Sequence, residues 1–447
     1  MAFAPRWVNC KIFFGIKLFI FVCFCKSTLG STPRVYKLDE VYQSALGVSE
    51  IVRQSEETHA QSREQKKQAY GSILPTINYL GLVLRQDPPK TALGSSIFPP
   101  VQRTHRLNAR QFLFQGGAEY AFISFAKHQE QSNFEQIRNT RRLLWLQIAE
   151  LYYNTLLQKR ELDHLEKEQS LFKDQVKELE SQTKIGRSRA SDLLAVKAAH
   201  ATTDARHYTL ETEYDVLKVQ LQSIAKLPDS FELKRDEIKI KNKSLKNLAD
   251  YLSQIENRPD VKAARLNLEA LESNIWVSRA GHFPTLDLSG NYYFERPGVN
   301  ATSEWDASLN ITIPIFAGGV VQSRVRESSS RMRAALVELE RIRREAKDEV
   351  TRLYRSVLNT EQELQNLETA RLLSEKSWVR TRQDNRLGIA TNLDTIQALR
   401  NYVESERAFD RAFYRRKLDR TRLEASVGQW PDITKNISNS LTTSEED

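Results

Sequence analysis

The sequence predicts a mostly α-helical chain with a small β part, built as two repeats. Each repeat runs helix, β-hairpin, very long helix, turn, returning helix. Three observations carry this prediction. Two glycine-punctuated segments, Gly117 to Gly186 and Gly319 to Gly388, each span 69 positions and lie 202 residues apart. The same shift superposes what lies between, placing Ile148, Leu151, Leu162 and Leu165 on Val350, Leu353, Leu364 and Leu367. Before each long segment the apolar spacing changes from helical to alternating, the period of a strand with two unlike faces. A helix of this length reaches roughly 100 Å at about 1.5 Å per residue, far more than an ordinary globular domain needs.

The 447 residues are 28% charged, with a net charge of +9 and a mean hydropathy of −0.53. These values exclude a multi-span helical membrane protein. Residues 1–30 have a basic front (Arg6, Lys11), an apolar centre from Phe13 to Cys25 and small residues near Gly30, the pattern of a secretory signal peptide. An uncleaved anchor is the alternative, but a span wants about 20 clean apolar residues. All three cysteines (Cys10, Cys23, Cys25) fall in this segment, so the mature chain holds no disulfide framework and no thiolate metal site. Bulky Val22 and Phe24 precede Cys23 and Cys25, which argues against lipid attachment. Removing residues 1–30 takes four cations (Arg6, Lys11, Lys17, Lys26) and no acid, leaving +5 (9 − 4). The remaining charges alternate in sign along helices, as in Glu338, Glu340, Arg341, Arg343, Arg344 and Glu345. That is a solvated helix face rather than a nucleic-acid surface.

The first repeat is assigned to 31–226. A polar helical stretch ends before Pro75, and strands follow at about 75–85 and 105–113, with Arg106, Arg110 and Gln111 blurring the second. The loop between them is rich in turn formers (Asp87, Pro88, Pro89, Gly94, Pro99, Pro100). A long helix covers about 117–185 and a returning helix about 190–225. A connector, 227–244, contains Pro228 and the alternating Ile238-Lys239-Ile240. The second repeat is assigned to 245–430. Its helical stretch breaks near Pro259 and ends at Pro284, and its strands lie at about 284–295 and 304–314. Here Leu286, Leu288, Tyr292 and Phe294 oppose Thr285, Asp287, Ser289, Asn291 and Tyr293. Trp305, Ala307, Leu309, Ile311 and Ile313 oppose Asp306, Ser308, Asn310 and Thr312. A long helix at about 319–386 and a returning helix at about 392–428 complete it. The tail, 431–447, is Ser/Thr-rich with an acidic end, the composition of disorder.

Both long helices show three-four apolar spacing, the mark of coiled-coil packing. The positions are 144, 148, 151, 162, 165, 172, 176 and 179 in the first, and 332, 336, 339, 346, 350, 353, 357, 364 and 367 in the second. Thr155, Gln158 and Gln169 interrupt the first seam, so it is not a dry core throughout. The strands match the roughly 9–11 residues of a tilted membrane strand, with aromatic residues at their ends (Tyr79, Tyr292, Phe294, Trp305) as in interfacial girdles. Four such strands leave two open edges, which hydrocarbon does not tolerate. Since bacterial barrels start at about eight strands, several chains must close one barrel in outer membrane lipid. The long helices would then continue that barrel as a helical tube.

This doubled pattern of Pro, two strands and Phe-x-Gly-Gly (Pro75 to Gly116-Gly117, Pro284 to Gly318-Gly319) resembles the TolC family of outer membrane efflux proteins. So do the paired glycine turns, Ile185-Gly186 through Asp192 and Leu387-Gly388 through Asp394. The likeness covers about residues 35–430. It implies a homotrimeric α/β barrel, with a twelve-stranded β-barrel in a Gram-negative outer membrane and a periplasmic helical tunnel. It implies a duct for efflux or type I secretion. The tips at Gly186, Gly388, Ile185 and Leu387 would dock on a periplasmic adaptor and on an inner membrane pump of RND or ABC type. The resemblance also implies an acidic gate ring: its first position is Asp394, whereas its second is Gln397. Asp192 matches an acid that latches the tips, and the family's basic partner is replaced by Ala390, leaving Arg386, Arg187 or Arg189 as substitutes. An Asp after a glycine turn is also a good N-terminal helix partner, and the two roles can coexist.

No catalytic residue, cofactor or metal site is expected. No phosphate loop, dinucleotide fingerprint or nucleophile elbow appears, and His200 and His207 sit seven apart on one helix face. The rival reading is an exported coiled-coil structural or adhesion protein without a pore. It explains the long helices but not the paired strands.

Overall fold

The computed structural model describes residues 34–87, 100–235, 245–298 and 300–431. The leader at 1–30, residues 88–99 of the first loop, Ile238-Lys239-Ile240 and the tail beyond Pro431 lie outside the described residues. In chain order the elements are β1 (Arg34–Tyr36), α1 (Leu38–Val48), α2 (Glu50–Gly71), β2 (Thr76–Arg85), β3 (Val101–Gln115), α3 (Ala118–Lys184) and α4 (Ala190–Ala225). They continue as β4 (Phe231–Leu233), α5 (Leu248–Leu252), α6 (Pro259–Arg279), β5 (Thr285–Glu295), β6 (Trp305–Thr312), α7 (Val320–Arg386) and α8 (Asn392–Ser426). Both α3 and α7 contain 67 residues, each roughly 100 Å long.

The four long strands form one antiparallel sheet in the order β2-β3-β5-β6, so β2 and β6 are its edges. Its register sorts the side chains. Leu286 faces Ile311, Leu288 faces Leu309, and Tyr292 faces Trp305, all on one side. On the same side Ile77 faces Ala109 and Tyr79 faces Leu107. The opposite side is polar. Arg110 donates to Asp287 (2.9 Å), which also accepts from Asn310 (3.0 Å). Asn108 donates to Asn291 (3.0 Å), Asn291 donates to Asp306 (2.7 Å), and Ser289 meets Ser308 (2.8 Å). Arg106 and Arg110 therefore do not spoil the alternation of β3, because they occupy this polar side. Gln111 is the exception, tying the strand to the preceding turn through the Ile73 carbonyl (2.8 Å).

The helices pack in two storeys. Near the sheet, α2 and α6 lie against α3, and α6 also lies against α7; farther away α4 packs on α3, and α8 packs on both α3 and α7. The central core is aromatic, with Tyr42 and Trp145 edge to face at 5.1 Å, and Phe409 and Phe413 fully buried. The distal core joins Phe172 and Leu179 to Val196, Ile396, Leu399 and Tyr402.

Three readings of the sequence need correction. The stretch 31–74 is two helices, because Ser49 ends α1 through a bond to the Ala45 carbonyl (2.9 Å) and caps α2 by accepting from the Val52 amide (3.4 Å). The connector contributes β4, which pairs in parallel with β1, and the Tyr152 hydroxyl binds the Tyr36 and Lys234 carbonyls (3.3 and 3.0 Å) over that pair. Three-residue strands are too short to show a period. Finally, Leu336 is exposed while Ala335 is buried, so the α7 seam runs through Ala335, Leu339 and Ala346. The polar interruptions of the α3 seam also find partners. Gln158 reaches the Leu210 carbonyl (3.3 Å) and Glu213 (2.9 Å), and Gln169 reaches Asp204 (2.9 Å), both on α4.

Gly116 turns β3 into α3 at φ +67°, and a Cβ there would lie 2.8 Å from Phe283 Cβ and 2.9 Å from the Ala280 carbonyl. Gly318, at the matching junction, has φ +59° but open space around it. Gly318→Ala is therefore expected to cost about 1–2 kcal/mol, the left-handed backbone penalty alone. Gly116→Ala adds a clash with backbone that cannot give way, so its thermal unfolding midpoint should fall well below that of Gly318→Ala. Equal midpoints would refute the steric argument.

Candidate functional site

The far ends of α3 and α7, about 100 Å from the sheet, carry the residues singled out as tip and gate. Each long helix ends in the same motif. In the first, the Arg187 amide donates to the Gln182 carbonyl (2.8 Å) and Gly186 to Thr183 (3.1 Å). In the second, Ile389 donates to Asp384 (2.8 Å) and Gly388 to Asn385 (2.9 Å). This Schellman arrangement needs a left-handed residue, met by Gly186 (φ +73°) and Gly388 (φ +76°). The turns leave Ile185, Leu387, Ile389, Leu194 and Leu393 exposed, an apolar cap on an otherwise charged shaft. At the other end, Pro75 and Pro284 precede β2 and β5. Gly117 and Gly319 (φ +79° and +80°) are the residues before α3 and α7.

Asp394 starts α8 with a capping box. Its carboxylate accepts from the Thr391 amide (2.9 Å) and hydroxyl (2.6 Å), and its amide donates back to the Thr391 hydroxyl (3.2 Å). The Thr391 hydroxyl and then its amide hold the Asp394 carboxyl below the usual carboxylate range. Gln397, one turn on and exposed, donates to Asn401 (2.9 Å). Asp192 is met by Asn392, whose amide donates to it (3.2 Å) and to Ser188 (3.4 Å). Among the described residues no ion pair joins Asp192 to Arg187, Arg189 or Arg386. The hydrogen bond that Asp192 accepts across the two tips thus comes from a neutral amide. Asn392 was not picked out from sequence; it reads as an ordinary polar helix start, and nothing local points to a partner 200 residues away. Trp378 was missed too. It stacks on Tyr402 (5.5 Å, 8°) and closes the distal core between α7 and α8.

Above this core, α3 and α8 are joined by buried charges. Arg407 donates to Glu168 (2.7 Å) and forms an ion pair with Glu161 (3.3 Å), and His164 pairs with Asp410 (2.7 Å) and Glu406 (3.3 Å). Lys167 donates to the Tyr402 hydroxyl (2.9 Å). Charged pairs of this kind hold register between two helices that contain few apolar residues here.

The model for the outer membrane efflux protein family matches residues 252–429. The proteases secretion protein PrtF of Dickeya chrysanthemi is 21% identical over 293 residues, covering 63% of this chain and 63% of that protein. The outer membrane protein TolC of Vibrio cholerae is 22% identical over 336 residues, covering 72% of this chain and 76% of that protein. Among solved structures, the outer membrane protein VceC of Vibrio cholerae superposes with a TM-score of 0.78 at 16% identity, covering 88% of this chain and 97% of that one. The chain thus spans slightly under two thirds of PrtF but nearly all of the VceC fold. Residues 252–429 thus match the outer membrane efflux protein family, and with its sheet, two equal helices and glycine tips the chain has the fold of the outer membrane protein VceC.

Proposed function

We propose that the protein is the outer membrane exit duct of a tripartite efflux or type I secretion system, closed by three copies around one axis. The observation that carries this is the four-stranded sheet with one apolar face, one hydrogen-bonded polar face and two open edges. Such edges cannot remain unpaired in hydrocarbon. Pairing β6 of one copy with β2 of the next, three times over, gives twelve strands and hides every edge. The apolar face meets outer membrane lipid and the polar face meets water. The helices α3, α4, α7 and α8 then form the periplasmic tunnel wall, with the apolar tips placed to meet a periplasmic adaptor and, through it, an inner membrane pump. The chain binds and conducts; it performs no chemistry. Extraction from outer membranes as a detergent-solubilised trimer that conducts ions in planar bilayers is the expected result. A soluble periplasmic monomer would instead favour the coiled-coil structural reading.

Asp394 is the gate acid of this reading, alone on its turn because Gln397 is neutral. Asp394→Ala is expected to change single-channel conductance and to weaken block by multivalent cations. Because the substitution also removes the cap of α8, Asp394→Asn is the control, keeping an acceptor for the Thr391 amide without charge. Block identical to wild type in both variants would remove Asp394 from the gate.

A further inference from the structure

In the half of the sheet away from the long helices, β2 breaks its alternation. On the polar side, Leu80 lies opposite Arg106 and Leu82 opposite Thr104, so both faces of this strand are apolar. Beside the leucines is a cavity of about 320 Å³, walled also by Tyr293, Arg296 and Pro297. Two guanidinium groups flank the Tyr293 ring. Arg296 lies 4.2 Å from its centre, and Arg106 lies 5.8 Å away while donating to its hydroxyl (3.3 Å). Arg296 is paired with Asp306 (3.4 Å), which also accepts from Asn291. Arg106 has no carboxylate within ion-pair distance among the described residues. Each chain thus presents a guanidinium with no direct carboxylate partner among the described residues, next to a leucine wall on a face that is otherwise mostly polar.

We propose that this cavity binds organic anions with an apolar body, the carboxylate on Arg106 and the hydrocarbon on Leu80 and Leu82. The proposal rests on the duct reading, which puts this face on the water-filled lumen. Closing a barrel needs no leucine there: an inward Leu beside water gains nothing, whereas beside a fixed cation it supplies the second half of an amphipathic site. Charge-assisted contact to a guanidinium and burial of a short alkyl chain are separate contributions, so they can be removed separately.

The test uses the full chain in planar bilayers, with hexanoate, acetate and hexylammonium as probes. Hexanoate is expected to lower the single-channel current with increasing concentration. Acetate, with the same head and almost no body, and hexylammonium, with the same body and opposite charge, should leave it unchanged at equal concentration. Arg106→Gln and Leu82→Asn should each raise the half-blocking concentration by about tenfold. Should Arg106→Gln fail to assemble, Leu82→Asn decides alone. Equal block by all three probes, or hexanoate block unchanged in the variants that conduct, overturns the site and leaves the duct standing. No channels from the wild-type chain overturns both.

Discussion

Arg258→Ala is expected to destabilise the folded chain by about 3–5 kcal/mol, the range for removing one partner from a buried charge cluster. Arg258 is 4% exposed and touches three other parts of the structure at once. It grips Asp260 with two bonds (2.7 and 3.0 Å), pairs with Glu349 of α7 (2.8 Å) and donates to the Ser426 carbonyl at the end of α8 (3.3 Å). Arg142 of α3 approaches the same Asp260 at 3.5 Å. The local sequence explains the placement. Pro259 opens α6 with a preset φ and no amide to satisfy, and Asp260 sits in the first turn, where the helix dipole favours an acid. Burial opposes the Asp260 charge, but the Arg258 hydrogen bonds, the charges of Arg258 and Arg142 and the Val261 amide together hold the carboxyl below its usual range. Without Arg258, Glu349 and a helix-terminal carbonyl lose a donor, and Asp260 keeps only the Val261 amide and the more distant Arg142. Thermal melts in detergent would show the loss. Arg341→Ala is the control, since Arg341 pairs with Glu338 and Glu345 on an exposed face and should cost under about 1 kcal/mol. If the two variants melt together, the cluster is not a structural tie.

Arg258 also shows where sequence reasoning stops. Pro259 was legible as a break, because proline constrains its own backbone and that of its neighbour. That the preceding arginine joins α6 to α7 and α8 was not, since its partners lie 91 and 168 positions away. The long helices and the second hairpin were legible for the opposite reason: a period repeated over many residues needs no knowledge of the partner. Arg106 and Arg110 blurred β3 only while its outward face was taken as the sole signal. Bonded to the Tyr293 hydroxyl and to Asp287, they belong to the wet face. At the tip, the Schellman glycines could be read from spacing, whereas the latch could not. The resemblance points to a basic partner for Asp192 and hence to the arginines, whereas the hydrogen bond that Asp192 accepts across the tips comes from Asn392. Asp394 was read as both cap and gate acid, and the geometry displays the cap.

Raising the pH from 6.5 to 9 is expected to remove roughly 3 kcal/mol of stability through His164 alone. Burial by itself disfavours the imidazolium, but hydrogen bonds to Asp410 and then Glu406 reverse that and raise its pKa from 6.5 to about 9. The folded state therefore holds a proton that the unfolded chain releases. The stabilisation is fully present below 6.5 and is lost as pH climbs through 9. Glu406 reports the other side of the same interaction. Burial raises it, but the His164 hydrogen bond and Lys167 lower it from 4.5 to about 2, so its share is present above 4.5 and lost as pH falls through 2. Because the two shifts describe one pair, they are counted once, and the plateau lies between pH 4.5 and 6.5. Other charges face the pair from three helices: Arg160 and Lys167 of α3, Arg371 of α7, and Asp410 with Glu406 of α8. His164 is the group whose proton changes in this window. Melting midpoints of wild type and His164→Gln should therefore be furthest apart near pH 6 and converge toward pH 9. A difference that stays constant from pH 6.5 to 9 would show that the histidine serves the α3–α8 joint as a neutral spacer rather than as a charge.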